Sequence, residues 1–281
     1  MPLALARLVT DPHAFLKGWP DSPQVYEPDG ADFPGLLSLA DTAAIATDPD
    51  LRPGEVGMVH VGTITGQIPD AEHPASTLVL NGLHRTWPPL TTLCSRLESE
   101  LGHPLTANAY RTPPSSQGYG PHWDTHHVLL AQVDGAKTWR LSNPVFTDPL
   151  EQHRWTAIGF TDEQRQQAIH HPDLTVELLA GQVLFIPRGW VHWGSTDHRP
   201  SLHITLGVQV LTWHWVMEQL LRRGAEDGAL RGALPPGLTI GLWPTLAENA
   251  GQRMTDWLAG LDPQNEAVAL RSASFRAYGS R

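Results

Sequence analysis

The chain has a single cysteine, Cys94, in 281 residues. No intrachain disulfide can form, and nothing calls for an oxidising compartment. No apolar run approaches the roughly 20 residues of a membrane-spanning helix. The N-terminal Leu3-Ala4-Leu5-Ala6 is too short for the apolar core of a signal peptide and is closed by Arg7. Basic residues are scarce, with 19 Lys and Arg against 29 Asp and Glu and a net charge of −10. That argues against a broad phosphate-binding surface. These absences predict a cytoplasmic protein with no membrane and no nucleic-acid partner. A basic peptide or protein segment is the more natural partner for an acidic protein.

What is present is an ordinary globular composition with 41% hydrophobic residues and an unusual 11 Trp. There is no internal repeat and no low-complexity tract. Asp11-Pro12 has the form of a helix N-cap followed by Pro at the first helical position. Residues 20–35, rich in Pro, Asp and Gly, read as loop. Val56–Val61 and Thr77–Leu80 alternate like strands. Leu90, Leu93, Leu97 and Leu101 recur at helical spacing over residues 88–101, and Leu105–Arg111 returns to strand. Val128–Val133 and Lys137–Leu141 flank Asp134-Gly135, a hairpin signal. Thr161 to Gln164 has the pattern of a capping box and opens a polar helix to about residue 170. Thr175–Leu179, Val183–Ile186, Val191–Trp193 and Leu202–Val210 complete the strands. Many short strands with Gly and Pro turns predict a mainly β, antiparallel double sheet over residues 1–210. After Leu211 the period changes. Trp213, Val216, Met217, Leu220 and Leu221 form a helical stripe, residues 245–261 form another, and the last twenty show little pattern.

Two segments carry the chemistry. In Gly120-Pro121-His122-Trp123-Asp124, a strand would point His122 and Asp124 to one face and Trp123 to the other. The second segment, Ile186-Pro187-Arg188-Gly189-Trp190-Val191-His192, supplies a histidine far enough along for the chain to leave the sheet and return. Two His and one carboxylate on one face, with the opposite side open, match the facial triad of non-haem Fe(II) oxygenases, although zinc would also accept three such ligands. A second His-x-Asp, His171-Pro172-Asp173, is set aside because Pro172 cannot donate to a sheet ladder. His126 shares the parity of His122 and Asp124 and is expected to line the pocket or sit behind the ligands. His203 is expected to line the pocket or to be a satisfied core residue. An oxygenase that uses 2-oxoglutarate needs a cation for the distal carboxylate. Lys137, on the strand after Asp134-Gly135, is suitable, with Arg140 as the other candidate. Trp123, Trp139, Trp190 and Trp193 flank these segments, as core packing or as water-excluding walls.

The run from Asn108 to Asp124, the segment Gln132 to Leu141 with Lys137, the stretch Gly181 to His192 and Ser201-Leu202-His203-Ile204-Thr205-Leu206 together resemble the JmjC-type ribosomal oxygenases of the cupin-4 family, in order and spacing, over roughly residues 10–240. The resemblance implies a double-stranded β-helix (jelly roll) with flanking helices. It implies Fe(II)- and 2-oxoglutarate-dependent hydroxylation by O2 of a C–H bond in a protein or peptide side chain, of the Arg- or His-hydroxylating kind. It implies that His122, Asp124 and His192 bind iron as the catalytic centre and that Lys137 pairs with the 2-oxoglutarate C5 carboxylate, with Asn108 and Thr205 beside the cosubstrate. Asn108 and Tyr110 would line the substrate pocket, with His126 and His203 near them. The helical segment 211–281 resembles the family's dimerisation segment, which predicts a homodimer through 211–261. Two departures stand out: no winged-helix domain is expected after those helices, and Gly207 stands where histidine-hydroxylating members carry Ser. Both leave open a peptide natural product or small molecule as substrate. N-methyl-lysine demethylation and a non-enzymatic metal-binding cupin are the other readings.

Overall fold

Aliphatic residues alternating from His127 to Ser142 build the longest strand and the organising element of the sheets. The computed structural model describes residues 3–48, 55–60, 63–65, 76–234 and 236–278. Its strands are β1 (Gln24–Tyr26), β2 (Val56–His60), β3 (Thr63–Thr65), β4 (Thr77–Leu80), β5 (Leu105–Thr112), β6 (His127–Ser142), β7 (Leu174–Leu179), β8 (Val183–Ile186), β9 (Val191–Ser195) and β10 (Ser201–Val208). The order is β1-β8-β6-β10-β5-β4-β2-β3, with β7 and β9 also paired to β6. These strands all pair antiparallel. The first half of β6 pairs with β8 and β10, and its second half with β7 and β9. One strand thus serves two sheets, as a mainly β double-sheet fold requires.

The expected hairpin at Asp134-Gly135 does not form. The backbone runs straight through it, and the two predicted strands are one. Gly135 does adopt the left-handed conformation (φ 65°) that makes Asp-Gly a turn signal. Here β10 pairs with β6 as far as Gly135 itself, and a Cβ on Gly135 would run into the Pro200 carbonyl oxygen. Held on both sides, the distortion becomes a bulge. The pairs step from His203↔Gln132 to Leu202↔Asp134, leaving Val133 as an extra residue on β6. Side-chain parity changes across it. Leu129, Ala131 and Val133 enter the main core, whereas Val128, Leu130, Trp139 and Leu141 share a second cluster on the other face.

Helix Pro88–Leu101 covers the main core with Leu90, Leu93 and Leu97 and ends at Gly102 (φ 72°). The even residues Leu202, Ile204, Leu206 and Val208 of β10 and Leu105, Ala107 and Ala109 of β5 pack there too. The odd residues of β10 and the even ones of β5 face the other way. Thr161 caps helix Asp162–His170 through the expected capping box with Gln164, and Asp11 caps Pro12–Phe15. The predicted loop 20–35 contains the edge strand β1, added to β8. The strand expected over Val56–Val61 runs to His60, and Val61 lies outside the described residues. The last twenty residues, expected to be patternless, contain helix Pro263–Tyr278, whose first turn is held by the Asp262 carboxylate on the Gln264 N–H at 2.9 Å. Its apolar stripe is weak because small alanines occupy several positions.

The molecule divides after Val210. The second unit, Leu211–Ala277, is helical, with Trp213–Gly224, Trp243–Ala259 and the greater part of Pro263–Tyr278. Within it, Arg223 of the first helix meets Glu266 of the last at 2.6 Å. Among the described residues no helix is long and apolar enough to cross a membrane.

Candidate active site

His122 and Asp124 are not in a strand. His122 forms a one-residue bridge with His192, its N–H donating to the His192 carbonyl at 3.2 Å and its carbonyl accepting from the His192 N–H at 2.8 Å. That bridge sets the two imidazoles side by side, 4.4 Å between centroids and tilted by 53°. Asp124 is fixed from the other segment. Its carbonyl accepts the Gly189 N–H at 2.9 Å, in a turn where Gly189 has φ 87° and a Cβ would lie 2.8 Å from the Phe146 carbonyl oxygen. The Pro-Arg-Gly turn therefore serves both His192 and Asp124. One ligand atom from each of His122, Asp124 and His192 lies within 4.8 Å of the others. Trp123 points away, fully buried, with its indole N–H on the His153 carbonyl at 2.9 Å.

Backbone carbonyls behind the rings fix the tautomers. The Nδ1–H of His122 donates to the Gly120 carbonyl and that of His192 to the Trp190 carbonyl, each at 2.9 Å. That leaves Nε2 of each ring as the nitrogen a metal would take, and Nε2 of His192 lies 3.5 Å from Asp124 Oδ2. Burial, reinforced by His192, pushes His122 down to about 4, so the imidazole is neutral at ordinary pH. Burial alone would raise the Asp124 carboxyl. The His126, His192 and His122 imidazoles overcome that and hold it below the usual carboxylate range. A charged carboxylate with two pre-oriented imidazoles fits a divalent metal.

The cavity in front of this cluster is lined by Tyr110, Lys137, Trp139, His203 and Thr205, with Val128 and Leu130 beneath. Lys137 is 3% exposed. Its ammonium donates to Thr112 Oγ at 3.1 Å, lies 5.1 Å over the Trp139 ring and, among the described residues, has no carboxylate partner. Burial pushes it down to about 7. Gly194 makes the space, because a Cβ there would lie 2.9 Å from Lys137 Cε and 3.1 Å from the Trp139 ring. A buried cation without an anion, at the end of a cavity floored by metal ligands, fits a carboxylate reaching inward from the metal. Arg140, with opposite parity, stacks 4.5 Å over Trp193 on the outer face and bonds Ser195.

The structure brings Tyr110, His203, Thr205 and Lys137 to the cavity with the three metal-type ligands. Asn108 is elsewhere, its Oδ1 accepting the Gly82 N–H at 2.9 Å while its carboxamide also meets Tyr110. His126 Nε2 stands 3.9 Å from Asp124 Oδ2, the oxygen that His192 Nε2 also faces. Its ring also explains Gly207, where a Cβ would lie 2.8 Å from both His126 Cδ2 and Thr106 Oγ. A serine at 207 has no room while His126 holds this position. Of the four flanking tryptophans, Trp139 lines the cavity, while Trp190 bonds the Asp21 carbonyl and Trp193 the Ala168 carbonyl. His171-Pro172-Asp173 does not join, and Asp173 accepts the Asn143 N–H at 2.8 Å. Tyr119, 5.6 Å from His122, and Gly194 belong to the site without any spacing that marks them. For Tyr119 the one signal is an aromatic flanked by Gly118 and Gly120 just before the ligand pair.

Residues 84–216 match the model of the JmjC domain. Over 170 residues the protein is 34% identical to the bifunctional lysine-specific demethylase and histidyl-hydroxylase NO66 of Drosophila grimshawi, covering 59% of this chain and 23% of that protein. Over 253 residues it is 28% identical to ribosomal oxygenase 1 of Danio rerio, covering 81% and 45%. It thus spans less than half the length of these relatives. Among solved structures it superposes on the ribosomal oxygenase YcfD of Escherichia coli in complex with cobalt and 2-oxoglutarate with a TM-score of 0.58, at 17% identity, covering 89% of this chain and 67% of that one. That likeness is one of fold.

Proposed function

We propose that the protein is an Fe(II)- and 2-oxoglutarate-dependent dioxygenase that hydroxylates a C–H bond in a side chain of a protein or peptide. The observation that carries it is Lys137, buried in the same cavity as His122, Asp124 and His192 and, among the described residues, without a carboxylate partner. The relatives' names, which include a histidyl-hydroxylase and a ribosomal oxygenase, support a protein substrate. The first unit, up to Val210, is the catalytic domain. When bound, iron with 2-oxoglutarate and O2 would couple oxidative decarboxylation to succinate and CO2 with delivery of one oxygen atom to a C–H bond.

The protein's own residues bind, orient and exclude water. His122 and His192 present Nε2 because backbone carbonyls hold Nδ1–H, and Asp124 supplies the negative charge. Lys137 neutralises the distal carboxylate of the cosubstrate, with Thr205 beside it. Tyr110, whose phenol is kept protonated by burial, borders cosubstrate and substrate. Asn108 acts through Tyr110 and the Gly82 amide, and His126 acts beside Asp124. The acidic balance favours a basic segment as substrate, and a single buried thiol suits the cytoplasm.

The test is succinate formation from 2-oxoglutarate with Fe(II) and O2, followed by mass spectrometry of peptides incubated with the enzyme. Succinate and a mass gain of one oxygen atom are expected. Formaldehyde release would instead make it a demethylase, and no 2-oxoglutarate turnover under any condition would return a zinc hydrolase or a binding cupin.

The second unit is proposed to pair with its copy through 211–261. Trp213, Met217 and Leu221, 82%, 52% and 55% exposed, follow one another at helical spacing. Trp213→Asp together with Leu221→Asp is expected to convert a dimer to a monomer by light scattering. A wild-type protein that runs as a monomer at all concentrations overturns this.

A further inference from the structure

His203 is 1% exposed and directly follows the register step in β10. Its ring is clamped, stacked on Tyr110 with centroids 5.0 Å apart at 7° and edge-on to Trp139 at 5.3 Å and 83°. It lines the cavity that also contains the Lys137 ammonium. Among the described residues its fully buried Nδ1 has no hydrogen-bond partner, and the same holds for the indole Nε1–H of Trp139. A buried polar atom left unpaired costs on the order of 1–3 kcal/mol. Both residues line the same cavity as Lys137, whose ammonium has no carboxylate partner among the described residues, so an anion entering there can draw on all three. An indole N–H can only donate, and a neutral imidazole donates from whichever nitrogen an acceptor selects. Burial and the neighbouring Lys137 cation both keep His203 neutral. It is therefore free to present an N–H to a carboxylate without adding a second positive charge that would have to be desolvated.

We propose that His203 is a positioning residue for the cosubstrate. Through Nδ1–H it donates to the carboxylate that Lys137 neutralises, and Trp139 Nε1–H adds a further donor. The ligand class is a dicarboxylate whose inner carboxylate meets two neutral donors and one cation. This rests on the dioxygenase reading above and moves His203 from the substrate to the cosubstrate. The clamp explains why a histidine serves here: Tyr110 and Trp139 fix the ring plane, so little rotamer freedom is lost on binding.

The experiment measures 2-oxoglutarate affinity by calorimetry on Mn(II)-loaded protein, for wild type, His203→Phe and His203→Asn. Phenylalanine preserves the stack and removes the donor, whereas asparagine places an amide near the lost Nδ1. His203→Phe is expected to bind 2-oxoglutarate about 10- to 100-fold more weakly, the loss of one hydrogen bond to a charged group. Mn(II) affinity should be unchanged, KM raised more than kcat is lowered, and His203→Asn should recover most of the affinity. Wild-type 2-oxoglutarate affinity in a folded His203→Phe protein overturns the proposal. Absence of 2-oxoglutarate binding by the wild type overturns the dioxygenase reading instead. Should the phenylalanine variant fail to fold, 15N-histidine spectra of the Zn(II)-loaded wild type decide. An Nδ1 resonance of His203, assigned against His203→Asn, that shifts to a hydrogen-bonded N–H position on adding 2-oxoglutarate supports the proposal, and an unmoved resonance overturns it.

Discussion

Lys137→Met is expected to give a protein that is more stable without ligand yet unable to hold 2-oxoglutarate. In the ligand-free fold the ammonium is buried beside an aromatic ring with one hydroxyl as its partner. Methionine fills the same space without a charge to desolvate. Thr112 keeps a hydrogen bond, because Thr77 Oγ is 3.1 Å from it. The sign of the pH dependence follows from the depressed value of about 7. Between that value and the ordinary lysine range near 10.4, the unfolded chain binds more protons than the folded one. Wild-type stability from this group therefore rises with pH through that window and is lowest below pH 7. At pH 7 the variant is expected to gain roughly 1–4 kcal/mol over the wild type, and the gain should shrink toward pH 10 in urea denaturation. Binding behaves oppositely. The complex needs the ammonium, so above pH 7 the wild type must take up a proton with its ligand, and affinity should fall by up to tenfold per pH unit. Calorimetry in two buffers of different ionisation enthalpy measures that uptake directly. The variant leaves a carboxylate unpaired and should lose at least about 100-fold in affinity. Unchanged affinity would move the anchor away from Lys137, and a less stable variant would show that the buried ammonium carries no desolvation penalty.

Asp124→Ala and His122→Ala are expected to lose divalent-metal binding and 2-oxoglutarate turnover together while keeping the fold. Neither side chain belongs to the hydrophobic clusters, and the His122–His192 backbone bridge does not depend on either side chain. The loss differs in kind between the two. Without Asp124 the two imidazoles remain near one another with no negative charge to offset the ion. Without His122 the carboxylate remains but the set falls to two donors, fewer than any of the usual catalytic sites. Mn(II) titration, circular dichroism and succinate assays on the same samples check this. Metal-dependent succinate formation by Asp124→Ala would remove it from the ligand set.

The core helix 88–101, the capped helix after Thr161 and most strand segments are legible in the sequence because each depends on local periodicity and capping. His122, Asp124 and His192 are legible as residue types at a spacing, but the reason for their convergence is not. A strand is the device that alternation suggests, and a single-residue bridge across segments 70 apart in sequence is the actual one. Asp134-Gly135 shows the limit most clearly. The same dipeptide serves a two-residue turn or a bulge, and the choice is made by β10, which approaches from some 65 residues further on. Asn108 is legible as a polar residue near the site, while its commitment to the Gly82 amide depends on a loop that spacing does not place. Helix 263–278 is hidden because small alanines dilute its stripe.

The extra residue in β6 acts as a phase shifter. A strand alternates its faces with period two, so the inward set before Val133 is even-numbered and the inward set after it is odd. Pairing Val133 in the ladder as an ordinary residue, with no bulge, would rephase everything downstream. Ala136, Thr138 and Arg140 would turn toward the metal side, and Lys137 and Trp139 would turn out. A cation would still face inward, but three residues further along the strand and too bulky for the space at Gly194. In any homologous protein, the count of residues between Leu130 and Lys137, read together with the presence of the bulge, is therefore as diagnostic of a working site as the identities of the ligands.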